Sequence, residues 1–325
     1  MKPESPGAQD RSNLSTQLDA QGFFAQGFLD AQDFQSTLIE AGIPAEVRER
    51  YGTAETQSIA VVALNYSGGP AEMPAWAAEN AGAESKSSEP RLAIARFARA
   101  NWYAEIDRRL LLAVKVMRIE ASSRGLEVPG ARSWKRLVNS ALPEKALALR
   151  AGLGWIGKNS ILIASGGKGG NSAVLIGLLL CPIDLELQKT QEMPGPGCGT
   201  CRRCVDACPT GALGGQGRVF DRNKCIQHWT HIDEEPPSFI GPFLVDRLYG
   251  CDICLEACPY FMLDEAAFCA LGPLGPAIPA RSLLAPSEGA LKAFLHGTAL
   301  DRSWISLRAL RRNAALSLEN YNKQR

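Results

Sequence analysis

The sequence predicts an α+β fold: a mixed helix–strand domain, then a cysteine-rich module, then a helical C-terminal segment. Three observations carry that expectation. Up to residue 180, stretches of helical periodicity alternate with short β-rich runs. Eight of the ten cysteines fall between residues 198 and 258, in two dense motifs and one isolated position. Beyond residue 280 the pattern is helical again, with a basic stretch. At 325 residues, 46% hydrophobic and 21% charged, the chain has the length for two domains and an ordinary globular composition.

Taken in order, residues 1–18 are rich in Ser, Gln and Pro and read as a disordered tail. The first domain is placed at 19–190. A helix is expected over about 28–42, stopped by Gly42 and Pro44. Residues 58–66 (SIAVVALNY) read as a buried strand, and 68–90 as an exposed loop. Residues 91–124 look helical, with Leu110, Leu111, Val114, Met117 and Ile119 at near-helical spacing. Another helix is expected over 142–151, ending at Gly152. The apolar runs 160–164 and 173–180, separated by a glycine-rich turn, read as a hairpin or strand pair, and 185–197 as a linker. The cysteine module occupies 195–262 and the helical, basic segment 263–325.

No apolar run approaches the ~18 residues of a membrane span. The N-terminus shows no charged-then-apolar leader and no twin-arginine pair, so a cytoplasmic, non-membrane protein is expected. A reducing compartment also suits cysteines at metal-ligand spacing better than at disulfide spacing. The formal net charge of +1 excludes strong global steering toward any partner.

The first motif is Cys198-x2-Cys201-x2-Cys204-x3-Cys208-Pro209; the second is Cys251-x2-Cys254-x3-Cys258-Pro259. The first is the full C-x2-C-x2-C-x3-C-P run of bacterial two-cluster ferredoxins, whose fourth cysteine serves the other cluster. The second lacks one cysteine, and Cys225 is available to supply it. On that logic Cys198, Cys201, Cys204 and Cys258 hold one [4Fe–4S] cluster, and Cys208, Cys225, Cys251 and Cys254 hold the second. Zinc sites use separated C-x2-C pairs, which this run is not. Cys181 and Cys269 lie outside both motifs and read as structural.

Two patterns mislead. Gly152-Leu-Gly154-Trp-Ile-Gly157-Lys158 matches G-x-G-x-x-G, yet a helix precedes it and an apolar run follows, the reverse of a dinucleotide fingerprint. The glycines instead suggest backbone passing close to a large ligand or a partner element. His228 and His231 lie three apart just past Cys225, but the cubane ligand count is already complete without them.

The segments AGLGWIGKNS (151–160), YGCDICLEACP (249–259), HGTALDRSWISLRALRRNAALSLEN (296–320) and RLAIARFARANWYAEIDRRLLLAVKVM (91–117) resemble the epoxyqueuosine reductase family over roughly residues 57–320. The resemblance implies a nitroreductase-like, cobalamin-binding α+β domain, a two-cluster ferredoxin-like domain that feeds electrons to the cobalt, and removal of the epoxide oxygen of epoxyqueuosine in tRNA. It places Gly157, Lys158 and Ser160 against the corrin or its tail, with Gln227 also on the cofactor side. It implies a monomer served by an external donor such as a flavodoxin or ferredoxin. The basic C-terminal arginines Arg302, Arg308, Arg311 and Arg312 are then candidates for tRNA phosphates.

Three positions depart from the family pattern. Asn139, in Val138-Asn-Ser-Ala-Leu-Pro143, stands where the family places the aspartate general acid. An amide can hydrogen-bond a leaving oxygen but cannot give it a proton. Asn101-Trp102-Tyr103 replaces Asp-Tyr-His, and Gln227-His228 replaces Ser-Tyr. Three functional readings follow: epoxyqueuosine reductase with the acid role taken by Glu144 or water, a paralogous cobalamin and iron–sulfur reductase of another substrate, or a two-cluster electron-transfer protein without cobalamin.

Overall fold

The computed structural model describes residues 6–66, 89–125, 127–166, 169–185, 197–214, 220–263 and 269–324. Two units partition the chain: residues 1–65, 103–157 and 161–199 form one, and 66–102, 158–160 and 200–325 the other.

The first unit is organised by β2 (Ser58–Asn65), whose residues are buried from Ser58 to Leu64. Burial on both faces explains its unbroken apolar sequence. It pairs antiparallel with β1 (Ala25–Asp30) and with β8 (Val174–Cys181), and β8 pairs with β4 (Lys135–Val138), giving the order β1-β2-β8-β4. One face is covered by α2 (Ala31–Glu40) and α5 (Glu144–Arg150), where Phe34, Leu38, Leu147 and Ala148 pack on Ile59, Val61 and Leu178. Against the other runs α4 (Trp102–Ser123). A Cβ on Gly177 would come within 2.5 Å of Ile106, so glycine is what lets this helix lie on β8.

Several expectations shift here. Residues 6–18, read as a disordered tail, belong to α1 (Pro6–Ala20), with Leu14 and Leu18 fully buried. The helix expected from residue 28 begins at Ala31, because Asp30 caps it by accepting from the N–H of Asp33 at 2.7 Å. Residues 25–30 ahead of it are strand. The two apolar runs expected to pair lie in different sheets. β6 (Leu162–Gly166) pairs with β5 (Gly154–Ile156) and β7 (Gly169–Asn171), while β8 joins the central sheet. The loop expected over 68–90 and the linker over 185–197 lie outside the described residues except at their ends.

The second unit holds a three-stranded sheet, β10 (Ala277–Pro279), β3 (Arg91–Ile94) and β9 (Arg247–Tyr249). Residues 91–94 were expected to open a helix; their exposed–buried alternation is that of a strand, and the helix starts only at Trp102. The core of this unit forms around Ile226, Trp229, Ile240 and Leu244. The C-terminal helix α11 (Leu307–Lys323) is capped by Ser306, whose hydroxyl oxygen accepts from the N–H groups of Arg308 and Ala309. Among the described residues no helix is long and apolar enough to cross a membrane.

Candidate metal centre

Each cysteine motif wraps a single helical turn, α6 (Arg203–Ala207) in the first and α8 (Ile253–Glu256) in the second. The two turns pack on each other, with Cys204, Val205 and Leu213 buried against Cys208 and Cys254. Backbone geometry sets the approach to Cys251. Gly250 has φ +85°, and a Cβ there would collide with Ala95, so the Tyr-Gly-Cys step requires glycine. The Gly250 N–H donates to Thr230 Oγ1 at 3.0 Å and the Cys251 N–H to Gln227 Oε1 at 3.2 Å. The Asp252 carboxylate accepts from the Arg96 N–H at 2.8 Å, and Arg96 in turn pairs with Glu256 at 2.9 Å. From the G-x-G-x-x-G segment, Lys158 Nζ donates to the Cys201 carbonyl at 2.9 Å and Asn159 Nδ2 to that of Cys254 at 3.5 Å.

No disulfide joins any of the ten cysteines. Burial pushes the Cys254 thiol up to about 12, and the neighbouring Cys251, Cys225, Cys204 and Cys208 add to that rise. Cys225 is raised by burial and by Cys208, and Cys251 by burial and by Cys225. At Cys208 burial also acts upward but is outweighed by the Thr210 hydroxyl and by the N–H groups of Ala212, Thr210 and Leu213, so its thiol is lowered. Backbone N–H groups of His228 and Gln227 reach Cys225, and that of Ile253 reaches Cys251. Thiolates crowded together and met by amide N–H groups suit a cationic iron–sulfur core, whose potential such bonds tune. Among the described residues no three His, Cys, Asp or Glu side chains converge as they would on a single ion. A cubane asks for no such convergence, since each thiolate binds a different iron.

Residues 197–260 match the family model of a 4Fe-4S double cluster binding domain, so the module carries two [4Fe–4S] clusters. Epoxyqueuosine reductase of Lactococcus garvieae is 33% identical over 183 residues, 55% of this chain and 48% of its own length. That of Gloeobacter violaceus is 33% identical over 210 residues, 62% and 61%, and that of Burkholderia pseudomallei 30% identical over 257 residues, 75% and 59%. The matches thus span about half to three fifths of these curated relatives. Over these stretches the chain is similar to epoxyqueuosine reductases. Solved structures bear out the α+β fold: epoxyqueuosine reductase from Streptococcus thermophilus superposes with a TM-score of 0.72 at 24% identity, covering 95% of this chain and 81% of that one. A structure of epoxyqueuosine reductase with an epoxyqueuosine-modified tRNA stem loop gives 0.70 at 23% identity, covering 97% and 82%.

Two of the residues singled out from sequence carry unusual backbone. Asn139 has φ +52° and Ser160 φ +60°; among the described non-glycine residues no others have positive φ. That conformation costs most L residues about 1–2 kcal/mol, and asparagine less. Asn139 closes the end of β4, one step before Ser140 and the N-terminus of α5, where Glu144 lies. Burial pushes the Glu144 carboxyl up to about 7 against the N–H groups of Ser140 and Asn139 and the Ser140 hydroxyl. Asn101, another departure, is structural: its Nδ2 donates to Gly297 O at 2.8 Å and its Oδ1 accepts from Arg302 at 2.5 Å.

The row of C-terminal arginines is largely engaged internally. Arg311 donates to Pro286 O at 2.5 Å, and Arg312 to the carbonyls of Trp229, Ile232 and Glu234. With Arg302 on Asn101, only Arg308 of the four is exposed. Sequence reasoning passed over Thr230, Arg96 and Asp252, which brace the Cys251 loop. Only Asp252, by its place inside Cys-Asp-Ile-Cys, had a readable signal.

Proposed function

We propose that the chain is a cobalamin-dependent iron–sulfur oxidoreductase that reduces epoxyqueuosine to queuosine in tRNA, working in the cytoplasm. The observation that carries this reading is the bonding of Lys158 and Asn159, in the loop the resemblance assigns to the corrin, to the carbonyls of Cys201 and Cys254. Cys198, Cys201, Cys204 and Cys258 would hold one cluster and Cys208, Cys225, Cys251 and Cys254 the other. Cobalamin, when bound, supplies a strongly reducing cobalt for opening the epoxide. Gly157, Lys158 and Ser160 would hold the cofactor, Ser160 in a left-handed conformation and Lys158 bonded to the Cys201 carbonyl. Gln227, by holding the Cys251 N–H, would fix that loop on the cofactor side.

Proton delivery is where this chain differs from the family pattern. Asn139 can orient a leaving oxygen by donating from its amide, and Glu144, protonated in part near neutral pH, is the carboxyl nearest in sequence that can supply the proton. The asparagine is also what favours the second reading, a paralogous cobalamin and iron–sulfur reductase of another substrate.

The deciding experiment reconstitutes both clusters under anaerobic conditions, adds cobalamin, and follows epoxyqueuosine-containing tRNA by nucleoside mass spectrometry. Conversion to queuosine is expected, with a cob(II)alamin signal beside the cluster signals in EPR. Cobalamin binding without conversion would move the assignment to the paralogous reductase. No cobalamin binding at all would leave electron transfer alone.

A further inference from the structure

We infer that the edge of the cysteine module around Cys208 and Cys225 is the docking face for an acidic, one-electron carrier protein. This rests on the reading that the clusters receive electrons from outside. Cys208 and Cys225 each lie within two residues of one hydrogen bond, between Thr210 and Lys224, that joins their segments. The segments that carry them are stitched side by side: Thr210 Oγ1 donates to Lys224 O at 2.6 Å, Asp221 N to Ala212 O at 2.9 Å, and Leu213 bridges Phe220.

Among its described residues, what this edge presents to solvent is cationic and aromatic. Arg202, Arg203, Arg222 and Lys224 are exposed. Among the described residues two carboxylates answer them, Asp206 at 3.2 Å from Arg202 and Asp221 at 3.6 Å from Lys224. Phe220, 42% exposed, is among the few large apolar side chains left open to water. An exposed ring within a basic rim, beside half-buried cluster ligands, has the makeup of a transient redox interface: small, charge-steered and quickly released.

In the transfer itself the carrier loses one electron and one [4Fe–4S] cluster gains it, passing from the 2+ to the 1+ state, with no bond made or broken. An RNA polyanion would also be drawn to arginines, but nearness to the cluster ligands and the open phenylalanine favour the protein carrier.

The test uses the cluster-loaded chain and a bacterial flavodoxin as probe, with cluster bleaching followed by stopped flow and binding of oxidised flavodoxin by its flavin fluorescence. R203E/K224E is expected to slow bleaching about tenfold at low ionic strength, with the difference closing at high salt. It should weaken binding in parallel, while bleaching by dithionite and the charge change K292E at an exposed site leave the rates as in the parent. F220S should weaken binding at every ionic strength. Flavodoxin rates unaffected by R203E/K224E would overturn the inference, and so would a variant impaired only in binding a tRNA stem loop. Clusters that dithionite cannot reduce would instead sink the reading on which it rests.

Discussion

Ser140 gives both its donors to one oxygen: Glu144 Oε1 accepts from the Ser140 N–H at 2.7 Å and from its hydroxyl at 3.0 Å. The pair locks the turn after Asn139 onto the start of α5, and holds a carboxyl whose proton affinity burial has raised.

That carboxyl should show itself in stability against pH. Its folded value of about 7 lies above the ordinary 4.5, so the native state holds the proton that the unfolded chain releases. The stabilising contribution is complete below about pH 4.5 and is lost as pH rises through 7. E144Q removes the titration. Its Tm should change less between pH 5 and 7.5 than that of the parent, which should fall over the same window. Equal slopes in the two proteins would show that Glu144 titrates at its ordinary value. If Glu144 is also the proton donor, E144Q lowers turnover by on the order of 10²–10⁴ while cobalamin stays bound.

Asn139 separates backbone need from chemistry. Aspartate tolerates the left-handed region as asparagine does, and glycine more so, whereas alanine does not. N139G and N139D should therefore keep the parental Tm within a few degrees, and N139A should lose about 1 kcal/mol. N139D restores an acid at the family's position and is expected to raise epoxide reduction. A correctly folded N139D that binds cobalamin and turns over no faster would remove position 139 from proton delivery.

The parts legible in the sequence were those whose pattern has one physical meaning. The triple C-x2-C-x2-C followed by C-P belongs to cubanes, and the apolar run of β2 is buried whether or not its neighbours are known. What failed to show had two readings at short range. Arg91–Ile94 is too short for a period of two to stand out ahead of a helix, and β6 and β8 are both apolar, with their different partners set by the chain beyond them. The braces of the metal centre were hidden for another reason. Thr230, Arg96 and Asn313 reach the Cys251 loop across long sequence separations that no spacing encodes.

Arginines of the C-terminal helix should divide into one that meets solvent and one that holds the fold. Arg308 is exposed, while Arg312 satisfies the carbonyls of Trp229, Ile232 and Glu234. R312A leaves those acceptors unpaired and should cost about 1–3 kcal/mol. R308A should leave Tm unchanged and, if this helix touches phosphate, reduce the slope of log K against log salt for a tRNA stem loop by about 0.7–0.9. An unchanged slope would take Arg308 out of the RNA contact.

Asn313 ties the same helix to the metal centre. Fully buried, its Nδ2 donates to Thr230 O and to Leu248 O, each at 2.9 Å. Thr230 in turn holds the Gly250 N–H, one residue before Cys251. Replacing the amide by alanine strips two buried carbonyls of their donor, which should cost about 2–4 kcal/mol. It should also loosen the support of the Cys251 loop, so the loss is expected to fall unevenly on the clusters. In the ligand assignment proposed above, Cys251 serves the cluster shared with Cys208, Cys225 and Cys254, and the other cluster keeps its four thiolates. N313A should then lose iron in air faster than the parent, pausing near half its iron content, with one of two EPR signals fading first. C258A gives the converse pattern, sparing the cluster of Cys251 although it removes a cysteine of the same motif. Should C258A and N313A extinguish the same signal, the ligands do not interleave between the two motifs.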